Sequence, residues 1–290
     1  MTVIGQQLLR TPFLAGFGRA TATAIRCKSS SSYVATGEEI VSGKPPVVIL
    51  HGALGSGTNW KSLSLRISSA LNRPVYALDA PNHGESEWTA TMSYDSMAES
   101  VLEFMREKSL TKIDLIGHSM GGKTVMVVAQ KHPEVVEKLI VVDSAPTHST
   151  GVGAVAGFVR TMKELDLSTL SRRAQVAPAL EDGIPNKGVR EFIAMNVSKN
   201  TSTNKLYWRC NLDAIQKFLP EMATFPHFDG NSSVPTLFIG GEDSDYITEE
   251  IHPEIRRLFA DVEIKKIPGS HWVHYDNPSG FLQETLSFLA

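Results

Sequence analysis

The sequence predicts an α/β protein built on a doubly wound, mostly parallel sheet, with a helical cap inserted between two of the sheet strands. Three observations carry this expectation. From residue 45 onward short apolar runs alternate with helical periodicity, the pattern of a parallel sheet with helices on both faces. The rhythm breaks once, over residues 147–230, where helical patterns replace strands. The segment "LIGHSMGGKT" (115–124) sets a serine between glycines where a strand gives way to a helix.

Each element can be justified in order. "PPVVIL" (45–50) reads as a buried strand bounded by prolines and by His51-Gly52, and "PVYALD" (74–79) as a second, ending in the polar turn "APNHGES". In "MAESVLEFMRE" (97–107), Met97, Val101, Leu102 and Met105 recur at helix spacing. "IDLIG" (113–117) is a strand, "GKTVMVVAQKHP" (122–133) a helix stopping near Pro133, and "EKLIVVDSAP" (137–146) a strand running into a turn. "VPTLFIGGED" (234–243) and "VEIKKIPGS" (262–270) are strands on either side of helical "EEIHPEIRRLFA", and "SGFLQETLSFLA" closes the chain as a helix. Within 147–230, "GFVRTMKELDL" and "LYWRCNLDAIQKFL" both read as helical. That stretch is too long for a plain connection. It is expected to cover the carboxyl edge of the sheet, where the sites of open α/β sheets lie. Four cap residues, Phe158, Met162, Trp208 and Leu212, are candidates for a pocket wall, the alternative for each being ordinary cap core.

Residues 1–32 differ from the rest. They hold Arg10, Arg19, Arg26 and Lys28, a serine run at 29–32 and no acid, the first being Glu38. This is the composition of a mitochondrial transit peptide, without the unbroken apolar core of a secretory signal. The expected organisation is a transit peptide over 1–32, cleaved near Arg26–Ser32 and directing the chain to the mitochondrial matrix. A core follows in two parts, 33–146 and 231–290, around the cap at 147–230. The formal net charge of −3 gives no reason to expect a nucleic-acid partner. No apolar run approaches the length of a membrane span. Two cysteines, Cys27 and Cys210, make no disulfide framework, and the nine histidines lack metal-ligand spacing.

The glycine-flanked serine has a chemical reading. In a nucleophile elbow, G-x-S-x-G, the turn is tight enough to hold the serine strained and exposed above the sheet, and Gly117, Ser119 and Gly121 fit it. A serine hydroxyl needs a base to take its proton, and the base needs a carboxylate to orient it. His271, in the loop after strand 262–267, is the expected base; His274 is expected to be a surface or supporting residue. Two sites compete for the acid: Asp143, ending "LIVVD", and Asp243 or Asp245 in "GGEDSDY". Sequence spacing does not choose between them. The oxyanion would be held by backbone N–H groups of Met120, directly after the serine, and of Ala53, in the loop "HGALGSGTNW".

Taken together, "LHGALGSGTNW", "LDAPNHGES", "IDLIGHSMGGKTVM", "EKLIVVDSAP" and "IPGSHWVHYDNP" resemble the α/β-hydrolase superfamily across residues 45–290. More narrowly they are similar to the mitochondrial group that includes alpha/beta-hydrolase domain-containing protein 11 and the yeast ethanol acetyltransferases. That resemblance implies Asp143 as the acid, because this group carries it on the strand after the elbow helix. The sequence departs from the group in three ways: acids at 242, 243 and 245, an "APNHG" turn without the usual arginine, and Ser270 in place of glycine before the histidine. The resemblance implies a serine hydrolase of short to medium acyl esters or thioesters that needs no metal or organic cofactor. An alcohol O-acetyltransferase using acetyl-CoA and ethanol is the first alternative, and a non-catalytic binding protein on the same fold the second. Ser119 excludes the aspartate-nucleophile chemistry of dehalogenases and epoxide hydrolases on this fold. Oligomeric state is not legible in the sequence.

Overall fold

The computed structural model of the chain describes residues 22–25, 32–37 and 43–290. Among the described residues ten strands and ten α-helices follow in order, beginning with β1 (Ala22–Ile25), β2 (Tyr33–Thr36), β3 (Val47–Leu50), α1 (Lys61–Leu71), β4 (Val75–Leu78), α2 (Tyr94–Glu107), β5 (Ile113–His118), α3 (Met120–Lys131) and β6 (Val136–Val142). The cap contributes α4 (Val152–Glu164), α5 (Val176–Ala179), α6 (Lys187–Ala194), the strands β7 (Val197–Lys199) and β8 (Leu206–Trp208), and α7 (Leu212–Ala223). The chain then returns to the sheet with β9 (Thr236–Gly241), α8 (His252–Leu258), β10 (Val262–Ile267), α9 (Val273–Asp276) and α10 (Pro278–Leu289).

Eight strands form one sheet in the order β1-β2-β4-β3-β5-β6-β9-β10. From β4 to β10 every pairing is parallel; β1 and β2 pair antiparallel at one edge. A parallel sheet is covered on both faces, which is why β3 and β9 are buried along their whole length, while the edge strand β10, VEIKKI, is only partly buried. In β3, Val47 and Ile49 face one core with Ile67 and Phe281, while Val48 and Leu50 face the other with Met97 and Val125. After β3 the chain moves outward to β4, then crosses back to β5 on the other side of β3. The loops after β3 and β5 therefore diverge over the carboxyl edge and leave a crevice there, the switch point of a doubly wound sheet.

Most of the expected leader lies outside the described residues. Ala22–Ile25 and Ser32 are exceptions: among the described residues Ala22–Ile25 forms the outermost strand, paired with β2. Cleavage near Arg26–Ser32 would remove that strand and leave the order β2 to β10 intact.

Several elements differ from the sequence expectation. α1 was not expected, because its apolar positions Leu63, Ile67 and Leu71 are diluted by four serines, Ser62, Ser64, Ser68 and Ser69. It ends on Asn72 in the left-handed conformation, φ 52°. β1 and β2, the two outer strands on one side of the sheet, have four residues each, too short to show a period. "LYWRCNLDAIQKFL" is not helical throughout: Leu206–Trp208 pair with Val197–Lys199, and the helix starts only at Leu212. Tyr207 and Trp208 favour a strand, and Asn211 caps the helix by accepting from the Ala214 N–H.

Candidate active site

The sequence turns sharply at the end of β5. Ser119 has φ 53° and ψ −117°, strained for any residue with a Cβ, and α3 begins on the next residue. Its N–H donates to Val142 O of β6 (3.1 Å), and its carbonyl accepts the first bond of α3, from the Lys123 N–H (3.0 Å). The flanking glycines are sterically required: a Cβ at 117 would lie 2.3 Å from Gly121 O, and one at 121 would lie 2.5 Å from His51 O. The turn thus presses β5, α3 and the end of β3 together, and lifts the serine side chain over the sheet edge.

The Ser119 hydroxyl lies 3.0 Å from His271 Nε2. On the far side of the ring, His271 Nδ1 lies 2.7 Å from Asp143 Oδ2. Asp143 is completely buried at the end of β6, in a left-handed conformation with φ 43°. A buried carboxylate needs partners, and this one has two more: Gly241 N–H donates to Oδ1 (2.9 Å) and Ser244 Oγ to Oδ2 (2.6 Å). With the imidazole proton on Nδ1, toward the carboxylate, the Nε2 lone pair accepts from the serine hydroxyl. Asp243 and Asp245 are exposed and do not reach the imidazole.

Sequence reading did not anticipate several supporting groups. Ser244 sits among the competing acids, and its role depends on a fold contact with β6. The Tyr246 ring stacks on His271, with centroids 4.1 Å and planes 20° apart. Burial, with Asp143 and Asp245 nearby, pushes its phenol up to about 12. His118 Nε2 donates to the His271 carbonyl (2.8 Å), which fixes its proton on that nitrogen; burial, with His274 and His271 adjacent, holds its pKa well down. Lys123 Nζ donates to the carbonyls of Met222, Ala223 and Thr224 and so ties α3 to the end of the cap helix α7. Burial pushes that ammonium down to about 7.

His274 is not a surface group. It stacks face to face on Trp60 (4.4 Å, 3°), lines the cavity, and is pushed down to about 3 by burial and then by His271. Ser270, which is not among the residues with positive φ, uses its N–H and hydroxyl to bind Asp276. The substitution for glycine is accommodated there.

Above Ser119 lies a cavity of about 230 Å³, walled by Trp60, Val155, Phe158, Phe192, Trp272 and His274. Of the four expected wall residues only Phe158 lines it. Met162 and Leu212 are buried in the cap core, and Trp208 lies on the β7–β8 hairpin, away from the cavity. Ala154, Val155 and Phe158 share the cavity-facing side of α4 at helix spacing, with Gly151 lining the cavity just before the helix starts.

Ala53, in the loop after β3, lines the cavity together with Ser119, and Met120 is the first residue of α3, directly after the serine. Among the described residues neither backbone N–H donates to a protein acceptor. Also among the described residues, no cluster of three His, Cys, Asp or Glu side chains could hold a metal, and no helix is long and apolar enough to cross a membrane.

A parallel sheet of this order with a strained serine at the β5–α3 turn defines the α/β-hydrolase class. The chain belongs to that family: the family model described as alpha/beta hydrolase fold matches residues 45–278. Within it, the chain is 33% identical over 285 residues to the sn-1-specific diacylglycerol lipase ABHD11 of Danio rerio, covering 96% of this chain and 89% of that protein. It is 29% identical over 278 residues to a probable alcohol acetyltransferase of Saccharomyces cerevisiae, covering 88% and 80% respectively. A solved marine microorganism esterase superposes with a TM-score of 0.82 at 36% identity, over 89% of this chain and 99% of that one. The resemblance read from the motifs is borne out.

Proposed function

We propose that Ser119 is the nucleophile, His271 the general base and acid, and Asp143 the orienting carboxylate of a hydrolase acting on carboxylic esters. The chain is a serine esterase of the α/β-hydrolase fold. The observation that carries the assignment is the continuous hydrogen-bonded line Ser119 Oγ, His271 Nε2, His271 Nδ1, Asp143 Oδ2. As Oγ adds to the acyl carbonyl carbon, its proton passes to Nε2, and the buried carboxylate stabilises the imidazolium. The carbonyl oxygen becomes an oxyanion, held by the Ala53 and Met120 N–H groups. His271 then returns the proton to the departing alkoxide or thiolate, leaving an acyl-enzyme. Water, deprotonated by the same imidazole, attacks it and releases the acid.

The apolar cavity supports a short to medium acyl chain, since about 230 Å³ is below the volume usual for drug-sized ligands. An alcohol in place of water would give transfer rather than hydrolysis, a reading favoured by the likeness to the yeast acetyltransferase. The acid-free N-terminus supports mitochondrial import. The test is a panel of p-nitrophenyl esters and acyl-CoA thioesters, run with wild type and Ser119→Ala, with and without ethanol. Hydrolysis by the wild type alone, steepest for short chains, is expected. Equal turnover by the alanine variant would sink the assignment, and ethyl ester as the main product would move it to transfer.

A further inference from the structure

We infer that Asn196, a cap residue remote in sequence from every motif, is a positioning residue for the oxyanion hole: it latches the cap to the loop that aims the Ala53 N–H. This rests on the proposed role of Ala53.

The loop after β3 is held peptide by peptide. The peptide unit carrying the Ala53 N–H has Gly52 O at its other end, and that carbonyl accepts two bonds, from the Gly55 N–H (3.0 Å) and from His51 Nδ1 (2.8 Å). His51 is fixed in turn, because its Nε2 accepts the Ala80 N–H (3.0 Å). The next N–H, that of Leu54, donates to His83 Nε2 (3.2 Å). His83 belongs to the "NHG" turn, and its Nδ1 donates to Pro81 O (3.0 Å). These bonds all come from the core. Leu54 is buried in the left-handed conformation, φ 58°, and its carbonyl is bonded from the cap. That carbonyl accepts from Asn196 Nδ2 at 2.6 Å, and the bond is buried. A neutral amide bond this short, with both partners out of water, leaves an orphaned carbonyl if the donor is lost.

Asn196 is itself anchored. It is 2% exposed, its N–H donates to Ile193 O (2.9 Å), and its carbonyl accepts the Arg209 N–H (2.7 Å). The segment it starts returns to the same two core loops. Arg209 approaches Glu85 beside the "NHG" turn (3.6 Å), and Asn211 binds both the carbonyl and the side chain of Asn82. The β7–β8 hairpin base therefore rests on the loop that carries Ala53 and on the turn that braces it. A cap displaced from this seat removes the Leu54 carbonyl's donor and frees the strained turn next to the oxyanion donor. Losing an oxyanion donor costs about 10²–10³-fold in rate in comparable sites; misaiming one should cost less.

The test is Asn196→Ala, with Asn196→Leu as a second variant that keeps the side-chain volume. Both remove the donor. With either, kcat for a short p-nitrophenyl ester should fall about 10–100-fold with KM nearly unchanged. The discriminating readout is a pair of inhibitors. An alkyl trifluoromethyl ketone accepts Ser119 Oγ at its carbonyl carbon, passes the serine proton to His271 and puts an oxyanion in the hole. The matching secondary alcohol fills the cavity without forming an adduct. The variants should weaken the ketone by the same factor as kcat and leave the alcohol's affinity unchanged. Wild-type kcat in a folded variant overturns the inference. Equal weakening of both inhibitors with a lowered Tm also overturns it, because Asn196 would then only hold the cap. If Ser119→Ala is itself active, the underlying reading fails; if it is inactive while the Asn196 variants behave as wild type, only this inference does.

Discussion

Replacing Asp143 by asparagine isolates the electrostatic role of the acid from its structural one. In Asp143→Asn, Oδ1 remains and still accepts the Gly241 N–H. An amide NH2 takes the place of Oδ2, where Ser244 Oγ and His271 Nδ1 both lie within hydrogen-bond distance. The serine hydroxyl can reverse and accept, so local packing survives. The imidazole cannot adapt without losing function: facing a donor, Nδ1 must accept, the proton moves to Nε2, and Nε2 then presents a donor to Ser119 Oγ. The base is lost while the geometry remains, at a cost of about 10⁴ in kcat, or about 5 kcal/mol of transition-state stabilisation. Asp243→Asn and Asp245→Asn alter exposed carboxylates and should stay within a few-fold of wild type. The assay is hydrolysis of p-nitrophenyl butyrate at pH 8, with circular dichroism and Tm as folding controls. If Asp143→Asn keeps a tenth of wild-type kcat, or Asp243→Asn loses a thousandfold, the reasoning about the imidazole's partner is wrong.

Phe158→Ala should open the cavity wall and shift kcat/KM toward longer esters by about 10–200-fold per methylene-sized contact. Met162→Ala, in the cap core, should instead lower stability by about 2–5 kcal/mol and leave the chain-length profile unchanged; a matching shift in both would refute this division. Burial holds His51 at about 4, below the 6.5 of an exposed ring, so the unfolded chain binds the extra proton between those values. Stability from this residue is complete above pH 6.5 and lost as pH falls to 4, about 3 kcal/mol in all. Equal urea midpoints at pH 7 and pH 4.5 would contradict it. Residues 1–35 fused to a fluorescent reporter should deliver it to mitochondria, and a cytosolic signal would remove the proposed address.

Much of the site was legible because strong constraints act locally. Gly117 and Gly121 flank Ser119 in a five-residue pattern, the first because a Cβ there would strike Gly121 O and the second because it would strike the end of β3, and β5 and α3 follow from periodicity on either side. The choice of acid was not legible from spacing. Asp143 and Asp243 both end sheet strands, and what separates them is burial: one carboxylate turns under β9 while the other meets water. Only the family resemblance favoured Asp143. His274 was expected as a surface or a supporting residue, and the sequence did not choose between the two because its partner, Trp60, lies more than two hundred residues away and the stacking of their rings leaves no local pattern. Which cap candidates form the wall and which the core was not legible, because Phe158 and Met162 are four apart on α4, a spacing that places both on the same side but not at the same depth. Leu212 and Trp208 belong to elements whose orientation depends on the β7–β8 pairing, and three-residue strands carry no period. Asn196 and Ser244 are isolated polar residues in loops, and their significance arises only when the cap and the loop after β9 close onto the core.

The central claim is that Ser119 is a nucleophile activated by His271 and Asp143. The most direct test is to treat the purified protein with an active-site-directed fluorophosphonate and locate the adduct by tandem mass spectrometry. One phosphonyl group should be found, on Ser119, in the wild type; labelling should vanish in Ser119→Ala and be strongly slowed in Asp143→Asn. An unlabelled wild type, or an adduct that persists at another residue when Ser119 is replaced, would contradict the account.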